Sequence, residues 1–224
     1  MKLAMLGISL IAAVGNWISI ERNWKTGERL AKPAVMILLL AWLWHNHLLG
    51  GGMLWFSLGI LFSLAGDVFL MLEGERFFLP GLVAFLLAHL AYIIGFNQVT
   101  PAANLILAAI ALVILAFAGI LFTKLRRGLI RQGATSLTLP VAIYTLVITV
   151  MVISALFTLA RPGWADGHAA LALAGALAFM ASDSLLAWNK FVQPIRHGRL
   201  LVMVSYHLGQ FGIILGAALH FAAQ

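Results

Sequence analysis

Long apolar runs alternate with short polar segments along the whole 224-residue chain. The runs cover about 3–20, 33–49, 53–72, 78–98, 102–123, 137–160, 167–189 and 199–222. Each is near the ~20 residues a helix needs to cross a ~30 Å hydrocarbon core. None shows the strict alternation of a barrel strand, so a β-barrel is excluded. The pattern predicts an all-α, polytopic membrane protein with eight transmembrane helices in a single domain over 1–224. Pro33, Pro80, Pro101, Pro140 and Pro162 are expected at or near helix ends, where proline is tolerated. The link at Gly50–Gly52 is the tightest. The first run is expected to be a retained helix and not a cleaved leader, because its strong positive cluster follows the apolar stretch.

Composition agrees with the pattern. The chain is 63% hydrophobic and 9% charged, against about 45–50% and about 25% in soluble domains. That leaves no room for a separate soluble domain. A net charge of +7 raises nucleic acid as a partner for a soluble protein. Here the basic residues sit between the spans and act as topology signals, so the bilayer is the expected partner and nucleic acid is not. Twelve of them fall in the first, third, fifth and seventh loops, against Lys2 and Arg161 elsewhere. The positive-inside rule then predicts both termini outside and the odd-numbered loops in the cytoplasm, as in an inner (plasma) membrane protein. No cysteine is present, which excludes disulfides and thiolate metal sites.

Two acids lie inside spans. Asp67 is in the third and Asp183 in the seventh. An ionisable group there costs roughly 3 kcal/mol on insertion scales, so such residues usually face a cavity or a partner. Both fall about five or six residues before a cytoplasmic end, roughly 8–9 Å inside the boundary. Other polar residues share that half of the bilayer: Lys32, His89, Tyr92, Tyr144, Tyr206, Gln210, Asn189 and Lys190, with Asn16 on the first span. Each also has a plain structural explanation. Asp67 with Lys32, or Asp183 with Lys190, makes a buried ion pair; Tyr144 and Tyr206 fit an interfacial belt; Gln210 fits interhelical hydrogen bonding. A zinc site drawn from His89, His207, Asp67 and Asp183 lacks a His-x-x-x-His pair on one helix, and no metal is expected.

Two acids in one low-dielectric pocket cannot both ionise easily, so one proton tends to be shared. The expectation is that Asp67 and Asp183 meet in such a pocket and do general acid–base work. Residue chemistry alone leaves two functions open: hydrolysis of a lipid, and proton-coupled transport of a lipid or small molecule.

A set of spaced residues narrows this: Lys32-Pro33; Gly66-Asp67-x-Phe69-Leu70-Met71; Gly81-x-x-x-Phe85-x-x-x-His89-x-x-Tyr92; Pro140-x-x-x-Tyr144; Phe179-x-x-Ser182-Asp183 with Lys190-Phe191; and Tyr206-x-x-x-Gln210. Together they resemble the YhhN family, membrane proteins that include animal and bacterial lysoplasmalogenases. The resemblance implies eight spans and hydrolysis of the vinyl ether of a lysoplasmalogen. The products are a fatty aldehyde and glycerophosphoethanolamine or glycerophosphocholine, and no cofactor is needed. It implies catalytic roles for Asp67 and Asp183. Lys32 and Lys190 become candidates for the phosphate of the lysophospholipid. His89, Tyr92, Tyr144, Asn189, Tyr206 and Gln210 become candidates for orienting substrate or water.

Overall fold

The computed structural model describes residues 3–222. Lys2, one of the two basic residues expected on the outer side, lies outside them. The described residues form eight α-helices and no strand: α1 (Ala4–Glu21), α2 (Lys25–His45), α3 (Leu54–Met71), α4 (Phe78–Phe96), α5 (Leu105–Arg131), α6 (Thr138–Leu156), α7 (Asp166–Phe191) and α8 (Gly198–Phe221). Among the described residues, seven helices are long and apolar enough to cross a membrane. The exception is α2. It starts eight residues before its apolar run, so Lys25, Glu28, Arg29 and Lys32 occupy its first turns. Pro33 therefore lies inside α2 and not at its end. It has no N–H to give back along the helix, so one backbone bond is missing there. The tight link before α3 is a 3₁₀ turn whose Gly51 has a φ of 58°, a backbone conformation that only glycine adopts at no steric cost. At the other extreme, α5 runs well beyond its apolar stretch and carries Lys124, Arg126, Arg127 and Arg131 on helix.

The chain groups into two compact units. The first holds α1 to α4 and the last turn of α8. Consecutive helices pack against each other, α1 on α2, α2 on α3 and α3 on α4. Ser9 on α1 donates to the Val35 carbonyl on α2 at 2.9 Å. The α3–α4 interface is built from glycines that receive rings. A Cβ on Gly59 collides with the Tyr92 ring, one on Gly66 with Phe85, and one on Gly95 with Phe56. Without a hydrophobic drive between helices in lipid, such close contacts hold them together.

The second unit, Val99–Gly216, holds α5 to α7 and most of α8. Here α7 and α8 touch backbone to backbone. A Cβ on Gly175 meets the Ile213 nitrogen, one on Gly212 lies 2.6 Å from the Gly175 Cα, and one on Gly216 lies 2.7 Å from the His168 carbonyl. The Gly212-x-x-x-Gly216 spacing is thus a packing face. Ring clashes can relax by rotation, but a backbone clash cannot. Gly175→Ala is expected to force α7 and α8 apart, with a loss of about 1–3 kcal/mol or more. Thermal unfolding in detergent measures it, and Gly167→Ala, with nothing within 4 Å of the added Cβ, is the control.

Arg161, counted in the sequence as a basic residue on the outer side, is 4% exposed. Its Nε donates to the Val99 carbonyl at 2.8 Å and Nη1 to the Ser154 carbonyl at 2.9 Å. It ties the linker before α5 to the end of α6. Burial lowers its pKa from the ordinary arginine value, and it remains cationic.

Candidate functional site

Asp67 lies on the buried face of α3, 1% exposed. Lys32 reaches it from α2, with Nζ 3.2 Å from Oδ1. Lys32 is itself buried at 8% exposure. A long apolar stem carries the ammonium into the bundle, and the carboxylate makes that position tolerable. Of the two uses expected for Lys32, the ion pair with Asp67 is the one present in the fold.

One turn along α3 from Asp67 lies Ser63, also fully buried. Gly59, Ser63 and Gly66 share a helix face by their spacing, as do Phe85, His89 and Tyr92 on α4. Since Gly59 receives Tyr92 and Gly66 receives Phe85, His89 stands level with Ser63. His89 and Tyr92 are both fully buried. The Tyr92 ring is used in packing, 6.1 Å from the Phe56 ring at an interplanar angle of 30°.

In the second unit Asp183 projects from α7 and accepts a hydrogen bond from the Tyr144 hydroxyl of α6 through Oδ2. These two, placed at a common depth by the sequence, do meet. Tyr206 of α8 lies one helical turn away, its ring edge-on to Phe179 at 5.3 Å. Gln210, one turn further along α8, is fully buried. Ser182 fixes the α7–α8 register by donating to the Val202 carbonyl at 2.9 Å.

Two residues expected at the site are engaged at the end of α7. Asn189 Oδ1 accepts from the Ile195 backbone N–H at 2.7 Å and so shapes the turn into α8. A short amide side chain at a helix end readily bonds nearby backbone. Lys190 is exposed, with its ammonium 5.8 Å from the Phe191 ring centre. Its carbonyl accepts from the Gln132 side chain at the end of α5.

Sequence reasoning passed over Ser63. A signal was available in its spacing, four residues before Asp67 and between two glycines, Gly59 and Gly66. Two apolar surface grooves, one along α5 and α7 and one along α2 and α3, are lined by neither aspartate. Among the described residues no group of three or more His, Cys, Asp or Glu side chains is placed to hold a metal ion.

Comparison with known proteins finds relatives of the chain. The chain is 32% identical to human lysoplasmalogenase TMEM86B over 84% of its own length and 74% of that protein's. It is 29% identical to the mouse TMEM86B lysoplasmalogenase over 90% of its length and 79% of the relative's. It is 28% identical to a lysoplasmalogenase of Mycobacterium tuberculosis over 89% and 74%. No solved structure matches it. The family model described as the YhhN family matches residues 27–217, from the first turn of α2 into the last turns of α8 with both aspartates between, and the chain belongs to that family.

Proposed function

We propose that the chain is a membrane-embedded hydrolase that cleaves the vinyl ether of a lysoplasmalogen. The products are a fatty aldehyde and a glycerophospho head group, ethanolamine or choline. In this reading the eight helices act as one catalytic domain with its chemistry in the cytoplasmic half of the bilayer. The relatives named lysoplasmalogenase support the substrate class. The observation that carries the mechanism is that each intramembrane aspartate has a distinct partner: Lys32 for Asp67 and Tyr144 for Asp183.

Vinyl ether hydrolysis needs a neutral acid and an anionic base at once. In this scheme Asp67, paired with the Lys32 ammonium, is the carboxylate, and Asp183 is the neutral acid that donates the proton. Tyr144 donates a hydrogen bond to Oδ2 of Asp183. Asp183 protonates the β-carbon of the vinyl ether, giving an oxocarbenium ion and an Asp183 carboxylate. Water adds to the cation's carbon and passes its proton to Asp67, giving a hemiacetal. The hemiacetal hydroxyl returns a proton to Asp183, the C–O bond to glycerol breaks, and Asp67 protonates the departing oxygen. Both carboxyls end as they began. Charge placed where the cation develops is the main source of rate in such sites.

Lys32 acts in this scheme through Asp67 and not on the phosphate. Lys190, at the exposed end of α7, keeps the phosphate role expected of it. Gln210, Tyr206 and His89 orient substrate and water.

The test is aldehyde release from a 1-alkenyl lysophospholipid by purified protein. Tyr144→Phe is expected to keep the fold and slow release by about 10- to 100-fold, the worth of one hydrogen bond to the carboxylate that Asp183 becomes as it gives up its proton. Full activity in that variant removes Tyr144 from the scheme.

A further inference from the structure

Hydroxyl side chains inside apolar helices usually satisfy themselves by bonding back to the carbonyl four residues earlier. This protein follows that habit closely. Ser19, Ser57, Thr145, Thr149, Ser184 and Ser205 all do so, at 2.6–3.1 Å. Ser63 does not. Its Oγ is fully buried and has no hydrogen-bond partner among the described residues. A buried hydroxyl without a partner costs about as much as a lost hydrogen bond, and each such group calls for an explanation.

The surroundings supply one. Ser63 lies one turn from Asp67 on the same face of α3. It stands level with the buried imidazole of His89 on α4, between the contacts that Gly59 makes with Tyr92 and Gly66 makes with Phe85. The Tyr92 and Phe85 rings occupy the space beside the two glycines, so Ser63 and His89 lie bracketed between two aromatic contacts. A hydroxyl, an imidazole and a carboxylate within about one helical turn (~5.4 Å) form the set of two to four polar partners that holds a buried water.

We propose that Ser63, with His89, binds an ordered water one turn deeper in the membrane than Asp67, and that this is the water that traps the oxocarbenium ion. Ser63 is thus a positioning residue for the nucleophile. The catalytic part rests on the hydrolase reading above; the water site does not. In the step itself, the water oxygen forms a bond to the cationic carbon and its proton goes to the Asp67 carboxylate. No other reactant is needed.

The depth is consistent with this chemistry. Substrate enters with its head group at the cytoplasmic boundary, so the alkenyl chain extends past Asp67 toward Ser63. A water held there is screened from the aqueous phase by the lipid chain and is delivered only to a bound substrate.

Two measurements test the proposal separately. The first is an experimental structure of the wild-type protein at a resolution that shows waters. The expected result is water density within hydrogen-bond distance of Ser63 Oγ and of a His89 nitrogen. A Ser63 hydroxyl turned onto the Gly59 carbonyl, with no water beside it, overturns the site. The second is the kinetics of Ser63→Ala, a smaller side chain on a small-residue face. The expected result is a kcat about 10-fold lower with KM unchanged, together with a larger share of methyl acetal over aldehyde in methanol–water mixtures, because the bound water no longer outcompetes the alcohol. Wild-type kcat and wild-type product ratio overturn the catalytic role. If the wild-type protein releases no aldehyde at all, the hydrolase reading fails and the density alone decides the water site.

Discussion

Purified Asp183→Asn protein is expected to fold normally and to release aldehyde at least ~1,000-fold more slowly than wild type, within the ~10²- to 10⁴-fold range of a general acid. The amide keeps the shape of the carboxyl and can still accept from Tyr144, so the α6–α7 contact survives. What it lacks is a proton acidic enough to reach carbon. A vinyl ether is stable in water near neutral pH, so the uncatalysed reaction does not mask the loss. The check is aldehyde release per mole of folded protein, with detergent-stable monodispersity and thermal unfolding measured on the same sample. Wild-type turnover would falsify the assignment of Asp183 as the acid. An aggregated or unfolded variant sends the test to Asp183→Glu, which keeps an acid in the wrong place and is expected to be folded and slow.

The second large effect concerns Lys32. Lys32→Met removes the ammonium and leaves Asp67, at 1% exposure, as a buried carboxyl without its cation. Breaking one side of a buried pair costs about 3–5 kcal/mol. Replacing both, as Lys32→Met with Asp67→Leu, exchanges two buried charges for apolar volume and is expected to recover most of that stability. A purely structural ion pair predicts that activity recovers with stability. The hydrolase mechanism predicts that it does not: the single and the double variant both lack the carboxylate form of Asp67 and both are inactive. Thermal unfolding and aldehyde release on the same four proteins, including Asp67→Leu alone, separate the two.

Much of this was legible before any coordinates, for identifiable reasons. Apolar runs near bilayer length place helices to within a few residues, and six of the eight follow that rule. The misplacements come from charge. Lysine, arginine and glutamate are good helix formers, so α2 begins among them and α5 continues through them, although hydropathy ends at their first appearance. Pro33 sits inside α2 for the same reason: the helix was already under way when the proline was reached. At the site, matching depth along neighbouring helices brought Tyr144 to Asp183, and the Lys32–Asp67 pair was one of two uses open to Lys32. The bond from Ile195 to Asn189 was not legible, because a polar residue near a helix end serves turn geometry as readily as substrate. The packing of Tyr92 was not legible, because its neighbour Gly59 carries no side chain to announce the contact. Ser63 was silent because a serine in a membrane helix is ordinarily satisfied by its own backbone, and only coordinates reveal one that is not.

The central claim is that this membrane protein hydrolyses a vinyl ether by delivering a proton to carbon. The measurement that meets it most directly is single-turnover cleavage of a 1-alkenyl lysophospholipid by the purified wild-type protein in D₂O, with the aldehyde trapped at once and its mass read. The account predicts aldehyde carrying one deuterium on the carbon next to the carbonyl, with glycerophospho head group in equal amount. Aldehyde without that deuterium, or movement of lipid or protons across a vesicle membrane with no cleavage at all, contradicts it.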